Sequence, residues 1–242
     1  MLNFNKFKME ILTNRKTPIV DNTNLVYIKD ETIDELFVKI YYDDIEIGQG
    51  VVLDFYKEFI NIESEDNHVC TQIKTFPFHG ATKEKYTNYG NKIYQIKYLK
   101  KPPISTPKRE NYINEFTDEI NQYISHLLEI NENLEFTYIP SSSKLPDDIA
   151  KELSATSTLP LANIISKDDT IDSKSITTFQ EGIKNSITKY SIDENNVNFG
   201  KQYIIIDDVM GTGSSIATIL KKLYDKTNKS NYFFIVAKDI KR

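Results

Sequence analysis

Tyr203 to Leu220, YIIIDDVMGTGSSIATIL, decides how this 242-residue chain is read. The unbroken apolar run Tyr203 to Ile206 reads as a strand buried on both faces, the habit of parallel sheets. Asp207 and Asp208 close that strand. A Gly-Thr-Gly-Ser-Ser turn follows, and Ile216, Ile219, Leu220 and Leu223 recur at helical spacing. Gly211 and Gly213 allow positive φ and close backbone approach, while Thr212, Ser214 and Ser215 offer hydroxyl donors. The helix start adds free N–H groups and the positive end of its dipole, so the turn has the parts of a phosphate cradle. The two carboxylates are opposite in kind: they repel phosphate, but accept hydrogen bonds from sugar hydroxyls or hold a divalent cation. Acids just before a cradle describe a phosphorylated sugar gripped at both ends. The stretch is not a Walker A loop, which needs Gly-Lys-Ser/Thr. Nor is it a dinucleotide fingerprint, since a third glycine is missing and the acids precede the turn.

Around this stretch the chain alternates helices and buried strands. Ile113, Phe116, Ile120, Tyr123, Ile124 and Leu127 predict a helix over about 111–130, and Leu134 to Ile139 a strand ended by Pro140. Leu145, Ile149 and Leu153 share one face of a short helix whose first turn holds Pro146, Asp147 and Asp148. Leu161 to Ile165 reads as a short strand, and Tyr232 to Ala237 as another buried one. The expected fold class is therefore α/β with a mostly parallel sheet, its ligand at the carboxyl ends of the strands.

The amino-terminal part has a different texture. From Asn24 to Ile62, β-branched and aromatic residues alternate, punctuated by Asp43-Asp44 and by Gly48 and Gly50, which predicts an antiparallel meander. Residues 63–91 are polar and irregular, and Lys92 to Tyr98 (KIYQIKY) reads as a further strand. The expected division is a β-rich region over 1–92, of unassigned role, and an α/β domain over 93–242.

Composition narrows the classes. With 39% hydrophobic and 27% charged residues, the chain has material for a core, which excludes wholesale disorder. No run approaches the roughly 20 apolar residues of a membrane span, and no signal peptide is legible, so a soluble cytoplasmic protein is expected. Cys70 is the only cysteine, which excludes an internal disulfide and a multi-Cys zinc ribbon. The net charge of -5 argues against a generic nucleic-acid binder. Lys97, Lys100, Lys101, Lys108 and Arg109, beside Tyr94 and Tyr98, remain a candidate contact for nucleic acid or a protein partner, against the plainer reading of a solvated linker. His68, Cys70 and His79 lack a fourth ligand and are weak evidence for a metal. His126 reads as packing within an apolar helix.

At Tyr203 to Leu220 the chain resembles the type I phosphoribosyltransferases, whose apolar strand, two acids, two apolar residues and small-residue loop bind phosphoribosyl pyrophosphate (PRPP). The resemblance implies that Asp207 and Asp208 contact the ribose hydroxyls, directly or through Mg²⁺, and that Gly211, Thr212, Gly213, Ser214 and Ser215 hold the 5-phosphate. Gly211 departs from the acid of the 6-oxopurine enzymes, against a hypoxanthine or guanine substrate. An earlier loop holds pyrophosphate in that family, and Ser141, Ser142, Ser143 and Lys144 in TYIPSSSKL fit it. The family's mobile catalytic loop falls within Ile165 to Tyr203, where Lys174, Lys184 and Lys189 are candidates and Lys174 is preferred. Lys238 is the one candidate for the base end. KYLK, IPSSSK, TTFQEGIKNSI and IVAK are similar to the ComF-like branch associated with DNA uptake, without its zinc ribbon; the resemblance spans about Tyr94 to Arg242. It implies a phosphoribosyltransferase of nucleotide metabolism that uses Mg²⁺ and a nucleobase-like acceptor, with a homodimer open. The alternative is a degenerate sensor of PRPP or nucleotide, or an accessory subunit of a nucleic-acid-handling or defence complex.

Overall fold

The structure is a computed structural model and describes residues 3–14, 25–63, 69–78, 81–99, 102–172 and 176–240. After a short 3-10 turn at Phe4–Lys6 come strands β1 (Phe7–Thr13), β2 (Leu25–Lys29), β3 (Leu36–Tyr42), β4 (Ile45–Phe55), β5 (Phe59–Glu63), β6 (Val69–Ile73), β7 (Thr75–Phe78) and β8 (Ala81–Glu84). Helices α1 (Asn88–Tyr98) and α2 (Thr106–Ile130), strand β9 (Leu134–Tyr138) and helix α3 (Leu145–Ser157) follow. The chain continues through β10 (Ile165–Lys167), α4 (Phe179–Lys189), β11 (Tyr190–Ile192), β12 (Gln202–Met210), α5 (Ser214–Thr227) and β13 (Asn231–Lys238).

Seven strands form one sheet in the order β2-β1-β3-β4-β13-β12-β9. Four of its six pairings are parallel: β1 with β2, β4 with β13, β13 with β12, and β12 with β9. The expected mostly parallel α/β sheet is present. Strands from both sides of residue 92 build it together, since β4 runs beside β13 from Asn231↔Gly48 to Lys238↔Phe55.

Side chains alternate across β12 and so create two cores. Tyr203 and Ile205 face α4 and α5, among Phe179, Ile183, Ile216 and Leu220. Ile204 and Ile206 face α1, α2 and α3, among Ile93, Phe116, Ile120, Leu145 and Ile149. Helices thus cover both faces, as an apolar run such as Tyr203 to Ile206 requires.

Five local expectations are corrected. Only β3 and β4 form the expected hairpin, turning through Asp43 and Asp44 at φ 55° and 61°. Strand β2 instead pairs parallel to β1 at the sheet edge. Lys92 to Tyr98 is helical, because Thr87 caps α1 by accepting from the Gly90 N–H at 3.0 Å, and Ile93 buries itself against α2. Leu161 makes a single bridge to Phe136, and the strand beyond it, β10, pairs with β11. The segment expected to be a long loop is therefore folded over most of its described length. His126 is exposed on α2, its Nδ1 2.8 Å from the Gln122 carbonyl, and is not a packing residue. No helix among the described residues is long and apolar enough to cross a membrane.

Candidate functional site

The sheet brings the carboxyl ends of β12 and β9 side by side, and both predicted loops emerge there. Asp207 and Asp208 lie near the carboxyl end of β12 with only 9% and 4% of their surface exposed. The Asp208 backbone N–H donates to Asp207 Oδ1 at 2.8 Å, which fixes the orientation of the Asp207 carboxylate. Burial, and then the charge of Asp208, push the Asp207 carboxyl well above its usual range.

Asp208 is the hub. Its Oδ2 accepts from Lys97 Nζ at 2.9 Å, from Ser141 Oγ at 3.1 Å and from Ser143 Oγ at 3.1 Å. The two serine oxygens lie 3.0 Å apart. The loop after β9 is thus tied to the acid pair. Its backbone turns through Lys144 at φ 56°, and Lys144 and Ser142 point to solvent. Arg109 of α2 holds the loop from outside, donating to the Ser143 carbonyl at 2.9 Å while pairing with Asp148.

The Gly211 to Ser215 turn lies on the other side of the acids. Together with Asp207 and residues of α4, among them Gly182, Asn185 and Ser186, it lines a cleft of about 120 Å³. Gly213 sits at φ 84°, a left-handed conformation that glycine adopts without strain, and it opens α5. Thr212 Oγ1 and Ser214 Oγ lie 2.9 Å apart, and Ser215 Oγ reaches the Tyr190 hydroxyl at 3.4 Å. Burial pushes the Tyr190 phenol up to about 12, so it remains a neutral hydrogen-bonding partner. Helix α4 forms the wall of this cleft through Gly182, where a Cβ would lie 2.2 Å from Ser214 Oγ.

The other candidates fall elsewhere. Lys238 is 4% exposed and its ammonium donates to the carbonyls of Gly211 and Asp239, supporting the cradle from beneath. Lys184 stands over the Phe4 ring at 4.3 Å, and Lys189 donates to the Ile171 carbonyl at 2.7 Å, so neither reaches the cleft. Lys174, His68, His79, Lys100 and Lys101 lie outside the described residues. Of the Lys-rich segment, Lys97 and Arg109 serve the site and Lys108 stands over the Tyr112 ring at 5.6 Å. Sequence reading missed Lys97 and Arg109 as site residues. The scarcity of arginine was a signal for the second: Arg109 is one of three in the chain.

A Mg²⁺ ion demands near-octahedral oxygen ligands. Here Asp208 Oδ2 already accepts three donors, and Asp207 is buried with its Oδ1 taken by the Asp208 N–H. No group of three or more His, Cys, Asp or Glu side chains among the described residues is placed to hold a metal. The donor set suits an ammonium and does not fit a divalent ion held by the protein.

No family model matches the sequence, and no curated protein matches it. Among solved structures the chain is similar to an adenine phosphoribosyltransferase, at 14% identity and a TM-score of 0.41 over 69% of this chain and 85% of that one. A Saccharomyces cerevisiae adenine phosphoribosyltransferase, complexed with an imino-altritol bisphosphate and adenine, gives 13% and 0.40 over 69% and 83%. A Staphylococcus aureus hypoxanthine phosphoribosyltransferase gives 14% and 0.34 over 53% and 72%.

Proposed function

We propose that the chain binds PRPP at the carboxyl end of β12 and transfers its phosphoribosyl group to a nitrogen nucleophile such as a nucleobase, releasing pyrophosphate. One observation carries the reading: the Asp207–Asp208 pair lies between the Gly211 to Ser215 cradle and a serine loop that is hydrogen-bonded to Asp208. An anion cradle, two hydroxyl-binding acids and a second hydroxyl-rich loop match the 5-phosphate, the ribose and the diphosphate of one ligand, in that order.

In this reading Gly211, Thr212, Gly213, Ser214 and Ser215 hold the 5-phosphate. Asp208 and Asp207 accept from the ribose hydroxyls, and Ser141 to Lys144 receive the diphosphate. The nitrogen lone pair forms the bond to C1 as the C1–oxygen bond breaks, the bonding electrons leave with pyrophosphate, and the nitrogen gives up its proton to solvent. Positioning and charge complementarity supply the catalysis, and the protein contributes no covalent intermediate. No step runs through a metal held by the protein.

A second reading is a sensor that binds PRPP or a nucleotide without turnover. It draws on the triple occupation of Asp208 Oδ2 by Lys97, Ser141 and Ser143, which leaves that oxygen closed to a ribose hydroxyl until a donor moves. Calorimetric titration with PRPP, followed by a pyrophosphate-release assay across a nucleobase panel, tests both. Binding with release on adding one base supports the enzyme; binding without release for any base supports the sensor. No heat with PRPP at a concentration that saturates ordinary phosphoribosyl sites rejects both.

A further inference from the structure

Lys97 reaches the acid pair from outside the strand, cradle and serine loop, 111 residues before Asp208 in the chain. It lies in the last turn of α1, with 18% of its side chain exposed, while the Asp208 side chain it meets is 5% exposed. Next to it, Tyr98 and Leu99 are exposed, so the end of α1 stands at the mouth of the site. The ammonium has three N–H donors, and among the described residues its one hydrogen-bond partner is Asp208.

We infer that Lys97 is the built-in cation of this site: its ammonium takes the place at Asp208 that a divalent ion would otherwise occupy, and its remaining N–H groups bind the diphosphate of the ligand directly, without metal. Three features support this. First, two adjacent carboxylates need a positive partner inside the protein, and Lys97 is the ammonium in contact with them. Second, Asp208 Oδ2 has its donors from Lys97 and two serines, and a metal there would have to evict the lysine. Third, Ser141 and Ser143 meet the same oxygen, so the Nζ stands beside the loop assigned to the diphosphate. Lys97 also keeps its charge: burial works against the ammonium, but Asp208 and Asp207 outweigh it and raise its pKa above the ordinary lysine value. The identity of the anion rests on the phosphoribosyl reading, whereas the exchange of ammonium for metal does not.

Two titrations separate these parts. Mn²⁺ alone, followed by electron paramagnetic resonance, is titrated into wild type, Lys97→Met, Lys97→Arg and Lys97→Met/Asp208→Asn. Removing a positive charge in contact with Asp208 should tighten Mn²⁺ binding about tenfold or more in Lys97→Met. Lys97→Arg should remain like wild type, and the double variant should lose the gain. Inorganic pyrophosphate is then titrated in EDTA by calorimetry. Wild type should bind it, and Lys97→Met should lose about tenfold, the worth of one charge-assisted hydrogen bond.

Wild type binding Mn²⁺ at Asp208 as tightly as Lys97→Met overturns the inference, as does pyrophosphate binding that requires metal in wild type. If Lys97→Met does not fold, Mn²⁺ titration of wild type against Asp208→Asn and the metal-free pyrophosphate titration of wild type decide on their own. The expected Mn²⁺ difference in a protein that binds neither pyrophosphate nor PRPP overturns the diphosphate contact and the phosphoribosyl reading, and supports the ammonium as the acids' cation.

Discussion

Met9 of β1 packs against Gly213 of the cradle: a Cβ on Gly213 would lie 2.1 Å from Met9 Cε and 2.9 Å from Met9 Sδ. Strand β1 is therefore part of the floor on which the Gly211 to Ser215 turn rests. Gly213 also holds φ 84°, so Gly213→Ala meets both a left-handed backbone and the Met9 methyl. The backbone alone costs about 1–2 kcal/mol. Met9→Ala leaves a cavity beneath the turn and should lower stability by about 2 kcal/mol or more. Met9 touches no proposed ligand, yet Met9→Ala should also weaken binding of PRPP, whose 5-phosphate is proposed to sit on this turn. Urea unfolding and calorimetry check this. Lost stability with unchanged PRPP affinity would show that Met9 is core alone.

The cradle hydroxyls make a sharper case. Thr212 and Ser215 are half-buried, and their side chains hydrogen-bond to other hydroxyls, Ser214 Oγ and the Tyr190 phenol. Thr212→Ala with Ser215→Ala should cost about 1 kcal/mol of stability per lost hydrogen bond. PRPP affinity should fall about tenfold, as the loss of one or two ligand hydrogen bonds implies. A folded double variant with parental affinity would remove the phosphate from this turn.

The parts of this site legible from sequence were those carried by local patterns. The run Tyr203 to Ile206, the two acids and the glycine turn are consecutive, and each element fell where its pattern placed it. The pairing of β4 with β13, the approach of Met9 to Gly213 and the reach of Lys97 to Asp208 join residues far apart in the chain. No spacing rule addresses such contacts. Lys92 to Tyr98 shows a different failure: Tyr94 and Tyr98 suit a helix face as well as an alternating strand. The cap at Thr87 and the packing of Ile93 decide between them. For α4, Gly182 obscured a stripe of Phe179, Ile183 and Ser186 that is buried against the cradle.

The ion pair of Lys97 and Asp208 should behave as a coupled unit in folding. Removing one partner of a fully buried pair costs roughly 3–5 kcal/mol. Lys97 keeps 18% exposure, so Asp208→Asn should cost less, about 2 kcal/mol. Lys97→Met leaves Asp208 with its two serine donors and should cost about 1 kcal/mol. The double variant should be more stable than the sum of the singles implies, by about 1 kcal/mol. Additive effects in urea unfolding would mean that the two groups do not share their charge in solution.

Asp207 predicts a pH dependence of definite sign. Burial and the Asp208 charge raise its folded pKa above the unfolded value. Between those two values the folded state holds a proton that the unfolded chain has lost. This contribution therefore favours folding at low pH and is lost as pH rises through the window. Asp207→Asn keeps an oxygen for the Asp208 N–H and has nothing to ionise. It should be more stable than wild type at neutral pH, the difference closing below about pH 4, where the unfolded aspartate is protonated too. Parallel stability–pH profiles for the two proteins would refute the raised pKa.

Helix α4 bears on the mobile catalytic loop expected within Ile165 to Tyr203. Its Phe179, Gly182, Ile183 and Ser186 are buried, Gly182 lies against Ser214 and Thr212, and the Lys184 ammonium stands over the Phe4 ring. A trypsin site inside such a helix opens only with the packing around it, so cleavage after Lys184 should be slow and should follow unfolding of α4. Gly182→Val forces side-chain atoms into the space of Ser214 Oγ, a clash that costs about 1–3 kcal/mol. That variant should be cut faster at Lys184 and should bind PRPP more weakly, because the wall of the cleft and the cradle move together. Rapid cleavage after Lys184 in wild type, suppressed by PRPP, would mean that α4 is itself the moving lid and that the packing against Ser214 belongs to its closed position.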